Sequence, residues 1–310
     1  MVPTSSTFQF SLQNRHTLID IPSASGMAVV GDFIYVVGDN SPWLFKLNMD
    51  YVIAERIALF PELEASHDFI FPKKGKPDLE AMTVYKSENG PVLLIFGSGT
   101  KSPSRDVCIE VTLGESLSVK HYSLVEFYTT LRAHSGLSTE ELNIEGAEVI
   151  EDELLLLNRG VNLIIRYSLS DFLHCLNGEE ACPVPQITRI TLPKIDDIEA
   201  GFSGASVLPN TQFIVFVASV ENTSNWIDDG EVLGSFIGIL PVNELNLSAA
   251  PQCVLVSNKE EHRELKVESV AVFATNEAGC YNVLLVTDSD GAQSELLTGM
   301  LMYSDTTSAA

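Results

Sequence analysis

The chain carries five copies of one β-hairpin unit, and this recurrence constrains the fold more than any other feature of the sequence. The cleanest copy is Asn143 to Gly160, NIEGAEVIEDELLLLNRG: a short strand, a tight acidic turn, and a longer apolar strand ending in Asn158-Arg159-Gly160. Four further stretches lay over it, opening at Ser25-Gly26, Glu80-Ala81, Ser203-Gly204 and Glu268-Ser269. Each begins with Glu or Ser followed by a small residue, then an apolar strand, a turn and a second strand rich in Val, Ile, Leu, Phe and Tyr. Recurrence at roughly 50 to 65 residues is the spacing of propeller blades, each of which needs its neighbours to bury both faces. The competing reading is a set of unrelated hairpins in a sandwich.

Laying out the remaining apolar runs predicts an all-β, five-bladed β-propeller with four-stranded antiparallel blades. The blades fall at about 24–62, 78–123, 143–193, 198–257 and 265–305, in a single domain spanning 1–310. The fifth blade is one strand short, while the chain begins with strand-like pieces (FQFSL and HTLIDI) that belong to no blade. A strand at 16–21 added to the last blade closes the ring and leaves no blade edge for another chain to pair with. A monomer is therefore expected.

Between blades two and three the strand pattern breaks. Leu124, Phe127, Tyr128 and Leu131 fall at helical spacing and Ser138-Thr-Glu-Glu resembles a capping box, so a helical insertion is expected over 124–142. Of the five cysteines, Cys108, Cys253 and Cys280 read as reduced thiols in or beside strands. Cys175 and Cys182, in one loop, could pair in an oxidising compartment. No zinc spacing is present.

The formal net charge is -24, from 42 acidic against 18 basic side chains. Duplex nucleic acid and anionic membrane surfaces repel such a chain, so neither is expected as a partner. The first residues lack a basic stretch followed by an apolar run, and no apolar run reaches the length of a membrane span, so a soluble, cytoplasmic protein is expected.

In an antiparallel pair the first strand begins where the second ends, which puts two sets of positions at one face of the ring. Inner strands open at Ser25, Glu80, Glu145, Ser203 and Glu268; second strands close at Asp39, Ser98, Arg159, Ser219 and Asp288, with Asn40, Glu221 and Asp290 just after. Three glutamates gathered at a channel mouth cannot all stay charged and uncompensated. A bound cation, a basic side chain or raised pKa values would each resolve the conflict. Glu, Asp and Asn oxygens suit Ca²⁺, with Glu80, Glu145, Glu268, Asp39 and Asp288 as candidate ligands. Alternatively, Arg159 reaches Glu145 or Glu80 in a structural ion-pair network.

A third of the basic residues (Lys73, Lys74, Lys76, Lys101, Arg105 and Arg159) fall in loops at that mouth beside blades two and three. The expectation is a polarised mouth, with a basic wall opposite an acidic wall on blades one and five. Gly97 to Asp106, rich in Gly and Ser, could cradle an anion through backbone N–H groups, but it is not a P-loop. For nucleophilic catalysis the sequence is poor: Ser203 lacks the nucleophile-elbow spacing. His67 and His134 are the loop histidines that could act as a general base. No Rossmann fingerprint is present, and no nucleotide cofactor is expected.

The segments KPDLEAM (Lys76 to Met82), FGSGTKSPSR (Phe96 to Arg105) and NIEGAEV (Asn143 to Val149) resemble an uncharacterised bacterial propeller family. That family is similar to the esterase-like phytase, SdiA-regulated and gluconolactonase-type calcium propellers. The resemblance implies a central-channel site, often with Ca²⁺, and hydrolysis of phosphoesters, esters or lactones. Ser25 and Ser203 stand where a full ligand ring would have Glu or Asn. Two functions follow as expectations. One is a hydrolase acting on a small anionic molecule, with His67 and Arg159 catalytic and Lys76, Lys101, Arg105 and Arg159 holding the anion. The other is a non-catalytic propeller that binds a ligand or a protein loop, its channel closed by a Glu/Arg network.

Overall fold

The computed structural model describes residues 7–63, 65–114, 116–223, 230–243, 251–257, 265–288 and 293–304. Five four-stranded antiparallel sheets are arranged as a five-bladed propeller. The inner strands are Ala24–Val30, Leu79–Ser87, Ile144–Ile150, Gly201–Val207 and Lys266–Ala274.

The sequence pattern explains why the blades stack. In the second strand of blade three, Glu153–Asn158, Leu154 and Leu156 pack into the cluster shared with blade two, while Leu155 and Leu157 pack into the cluster shared with blade four. Side chains alternate between the faces of a strand, so a strand buried on both sides reads as an unbroken apolar run rather than an alternating one. Five clusters of buried apolar side chains fill the five junctions, including the one between blades five and one. Each blade is thus a wedge that is incomplete without both neighbours.

The ring closes through its first strand. Thr7–Pro22 pairs antiparallel with Gln293–Ser304, from Thr7 opposite Ser304 to Thr17 opposite Glu295. The strand is longer than the 16–21 segment expected, because Phe8 to Leu12 also pairs, with Phe8 buried between blades four and five. At its other end Leu18 and Ile21 are buried between blades five and one. Residue 305, the expected end of blade five, lies outside the described residues.

Two local features depart from expectation: the turn that follows the inserted helix, and a second helix further along the chain. The insertion between blades two and three is a helix at Val125–Ser135, ended by Gly136 with φ 75°. Leu124, Phe127, Tyr128 and Leu131 are buried as the spacing requires. Ser138 and Glu141 exchange the two capping-box hydrogen bonds, but they close a turn and not a helix, since Asn143 must already lead into the next inner strand. A second helix, Leu169–Leu176, lies where a loop was expected; Ser168 caps it by accepting from the Asp171 N–H. Cys175, in the last turn of that helix, forms a disulfide with Cys182. No helix among the described residues is long and apolar enough to cross a membrane.

Candidate functional site

Every inner strand opens with the same irregularity. The ladder to the second strand skips one residue between Ala24 and Gly26, Leu79 and Ala81, Ile144 and Gly146, Phe202 and Gly204, and Val267 and Ser269. The skipped residues are Ser25, Glu80, Glu145, Ser203 and Glu268. A bulge re-aims the residue it inserts, and here the five bulge residues line one cavity or seal its wall. The small residue that follows is required by the approach of neighbouring blades. A Cβ on Gly204 would lie 2.8 Å from Ser269 Cα, and one on Gly146 3.4 Å from Gly204 Cα.

The bulge residues divide by chemistry. Ser25 and Ser203 tie their blades to the next, donating to Leu79 O (2.5 Å) and Val267 O (2.6 Å). Both hydroxyls are thus structural. Glu80, Glu145 and Glu268 instead face a cavity of about 680 Å³ at the channel mouth. Two residues before each bulge lies a second ring that the sequence repeat, which begins at the bulge, does not include: Ser23, Asp78, Asn143, Gly201 and Lys266. Opposite these sit the second-strand ends, joined by backbone hydrogen bonds from Asp39 to Ser23, Ser98 to Asp78 and Arg159 to Asn143.

Ion pairs knit the rings together. Arg159 lies 3.0 Å from Glu221, 3.7 Å from Glu145 and 3.8 Å from Glu268. Lys266 lies 3.3 Å from both Glu221 and Glu268 and 3.7 Å from Asp288. Across the mouth, Lys76 bridges Asp39 and Asp78, and Arg105 pairs with Asp78 and donates to Thr100. Asn143 donates to Glu145 at 2.8 Å. The cavity lining holds eight carboxylates (Asp39, Asp78, Glu80, Glu145, Glu199, Glu221, Glu268 and Asp288) against six cations (Lys73, Lys76, Arg105, Arg159, Arg189 and Lys266), an excess of two negative charges.

Protons make up part of the deficit. Burial pushes Glu268 up to about 8, against the pull of Lys266 and Arg159. Burial likewise raises Glu145 and Asp39 despite their cationic neighbours. Glu221 goes the other way: burial opposes its charge, but Arg159 and Lys266 together hold it below the ordinary range. Glu80 is raised well above the ordinary range, by burial and then by Asp78, Glu145 and Asp39. It makes no hydrogen bond or salt bridge among the described residues.

The structure therefore gathers Asp39, Glu80, Glu145, Arg159, Glu268, Asp288, Lys76, Arg105 and Lys73 around one cavity and leaves other candidates out. His67 is exposed and set edge-on against Trp43, away from the cavity lining, so it is not positioned as a general base there. Lys101 and Lys74 are exposed and do not line it. His134 turns back to Thr130 O on its own helix. In the Gly97–Asp106 loop the Ser102 and Ser104 hydroxyls are spent on Asp106 and Lys101 O of the same loop, leaving Thr100 and Arg105 to face the cavity. Asp290 lies outside the described residues. Arg159 reaches Glu145 but not Glu80. The mouth is not polarised as expected: Lys76 sits on Asp39 and Lys266 beside Asp288, so the acidic positions of blades one and five carry cations of their own.

A Ca²⁺ site over all five proposed ligands does not fit this geometry. Ca²⁺ takes six to eight oxygens, whereas Lys266 and Arg159 already occupy the space among Glu145, Glu268 and Asp288. The tightest acidic group is Asp39, Asp78 and Glu80, with one oxygen of each within 4.8 Å of the others. Two of those three are held by Lys76.

Asp78, Lys266 and Glu199 are cavity residues the repeat did not point to. For Asp78 and Lys266 a signal existed: each lies two residues before a repeat-opening Glu, at the same end of its inner strand. Glu199 sits on a small ladder, Lys194–Ile195 against Ile198–Glu199, turned by Asp196 and Asp197 with φ 49° and 65°. It belongs to no blade.

Fold and mouth together define a closed five-bladed propeller with a charged, ion-paired cavity at one end of its channel. The family described as "Family of unknown function (DUF6929)" matches residues 20–301, and the chain belongs to it. Comparison with curated proteins finds no match. Among solved structures, the tail fibre of Staphylococcus aureus phage P68 is similar with a TM-score of 0.50 at 11% identity, covering 95% of this chain and 53% of that one. The chain thus spans about half the length of the fibre protein, and at this identity the likeness shows the fold alone. The glutaminyl cyclase of Myxococcus xanthus (TM-score 0.46, 10% identity, 96% and 97% covered) and the Trypanosoma rangeli sialidase in complex with sialic acid (0.42, 10%, 95% and 58%) are weaker likenesses that carry no argument.

Proposed function

We propose that this propeller binds a small, polar, positively charged molecule at its channel mouth, and that the Glu/Arg/Lys network around it is structural. One observation carries the reading: each of the four inner cations is already paired with carboxylates, while Glu80 faces the cavity with no hydrogen bond or ion pair among the described residues. An anionic ligand reaching the inner ring would have to strip Arg159, Lys266, Lys76 or Arg105 from carboxylates held close to them, which leaves buried negative charge uncompensated. An amine or guanidinium supplies what the cavity lacks: donors and positive charge for Glu80 and for Asp39, whose Oδ1 is buried with no hydrogen bond.

Thermal unfolding of the purified protein against two panels tests this, one of amines, amino acids and guanidinium compounds, the other of sugar acids, phosphates and lactones. Stabilisation by members of the first panel, lost in Glu80→Gln, is expected. Stabilisation by the second panel alone would overturn it.

A second reading, a metal-assisted hydrolase of a small anionic ester, phosphoester or lactone, is favoured by the close approach of Asp39, Asp78 and Glu80. A divalent cation held there would polarise the scissile oxygen. It requires Lys76 to yield its place between Asp39 and Asp78. Metal analysis of the protein and turnover of an ester and phosphoester panel with added Ca²⁺ separate it from simple binding.

A further inference from the structure

Inner strands have no neighbour on the axial side, so some of their N–H groups must find acceptors across the channel. Three residues past each bulge lie Ala28, Thr83, Glu148, Ser206 and Ala271. The polar members form a staircase. Val149 N donates to Thr83 Oγ1 (3.0 Å), Val207 N to Glu148 Oε1 (2.9 Å) and Val272 N to Ser206 Oγ (3.2 Å). Each step stitches one blade to the next. Where Ala271 breaks the series, Ser269 Oγ accepts from Met27 N at 3.1 Å instead.

The step from blade three to blade four is the one made by an ionisable side chain. Glu148 also accepts from the Thr83 hydroxyl at 3.4 Å, so one carboxyl ties blades two, three and four together. It does not line the mouth cavity. We propose that Glu148 is a pH-sensitive latch in the channel: as the neutral acid it joins three blades without placing a charge there, and loss of its proton leaves an uncompensated carboxylate at that join.

The reason is that no charged group among the described residues stands close enough to compensate its carboxylate. Blade two presents Thr83 to it, and blade four presents the Val207 N–H. The titratable groups of the surrounding inner strands, Glu80, Glu145, Lys266 and Glu268, stand at the mouth. Tyr85 faces Glu110, Lys86 is exposed, and Glu151 at the far turn takes the Gln212 amide. A carboxylate with one N–H and one hydroxyl to offset its desolvation is costly. Glu148 is half-buried among these strands, and desolvation there pushes its carboxyl up to about 8, with Val207 N–H and Thr83 pulling the other way.

Thermal unfolding of the full chain between about pH 6 and pH 9 tests the latch against Glu148→Gln, which keeps an acceptor for Val207 but does not titrate. The wild-type Tm should fall relative to the variant by about 3 °C or more across that range. Infrared difference spectra at pH 6 should show a carboxylic-acid band that the variant lacks. Parallel Tm profiles, or no such band, would overturn the proposal. Thr83→Val gives a check if Glu148→Gln folds poorly: its carboxyl loses a charge-stabilising donor, so the midpoint of the same band should rise, and an unmoved midpoint counts against the latch.

Discussion

Arg159 lies across Gly201: a Cβ at that glycine would stand 2.6 Å from Arg159 Cγ. The guanidinium of blade three thereby reaches over blade four to Glu221 and on to Glu268 of blade five. Gly201 is bare so that one cation can serve carboxylates of three blades. Gly201→Ala forces the arginine stem aside, and overpacking of this kind costs about 1–3 kcal/mol. Chemical denaturation should show that loss, and Arg159→Met combined with Gly201→Ala should cost less than the two single changes added.

Arg159 and Glu80 should respond to substitution in opposite directions. Arg159→Met removes the cation from Glu145, Glu221 and Glu268, and breaking a buried pair in this way costs about 3–5 kcal/mol. Glu80→Gln removes a carboxyl that has no partner among the described residues and is crowded by Asp78, Glu145 and Asp39. Its stability should match or exceed the wild type at neutral pH. A Glu80→Gln protein that unfolds more easily would mean that Glu80 holds a bond the structure does not show.

The repeat was legible because function and packing both mark it. Glu or Ser followed by a small residue recurs since the bulge aims the first into the channel and the approach of the next blade limits the second. The unbroken leucines at Leu154 to Leu157 announced a strand buried on both faces. Asp78 and Lys266 escaped because the inner strands start before the repeat does, so the residues two positions upstream fell outside the unit being compared. The pairing of Lys76 with Asp39 was beyond reach for a different reason: the two lie in different blades, and only the ring geometry brings them together. Glu199 has no counterpart in any other blade, so recurrence could not find it.

Cys175 and Cys182 provide a direct chemical test. The structure joins them and leaves Cys108, Cys253 and Cys280 as thiols. Thiol titration of the denatured, unreduced protein should count three groups, and five after reduction. Removing a cross-link over a loop this short should cost about 2–3 kcal/mol. Five thiols before reduction would show that the pair stays open in the protein as isolated.

The closing strand should be indispensable. Deleting residues 1–22 strips blade five of its outer strand, bares the edge of Gln293–Ser304 and takes Phe8, Leu18 and Ile21 out of two junction clusters. An unpaired edge of that length is a template for association. The truncated chain should be insoluble or aggregate on refolding; a soluble, cooperatively unfolding product would show that the ring does not depend on its clasp.

Glu268 contributes to the pH response of the mouth alongside Glu80, Glu145 and Asp39. Its carboxyl is pushed up to about 8 in the folded chain, from an ordinary value near 4.5, by burial that Lys266 and Arg159 only partly offset. A group whose folded pKa is raised contributes stability that is complete below its unfolded pKa and is lost as pH rises through the folded one. The loss therefore develops between about pH 4.5 and pH 8 and is complete above that. Glu221, held low by the same two cations, acts in the opposite sense at lower pH, where acidification protonates it and slackens its pairs. Urea unfolding at pH 6 and pH 9 should show wild type losing more stability than Glu268→Gln over that interval. Equal losses in the two proteins would mean that Glu268 is already ionised at pH 6, with Lys266 and Arg159 compensating it fully.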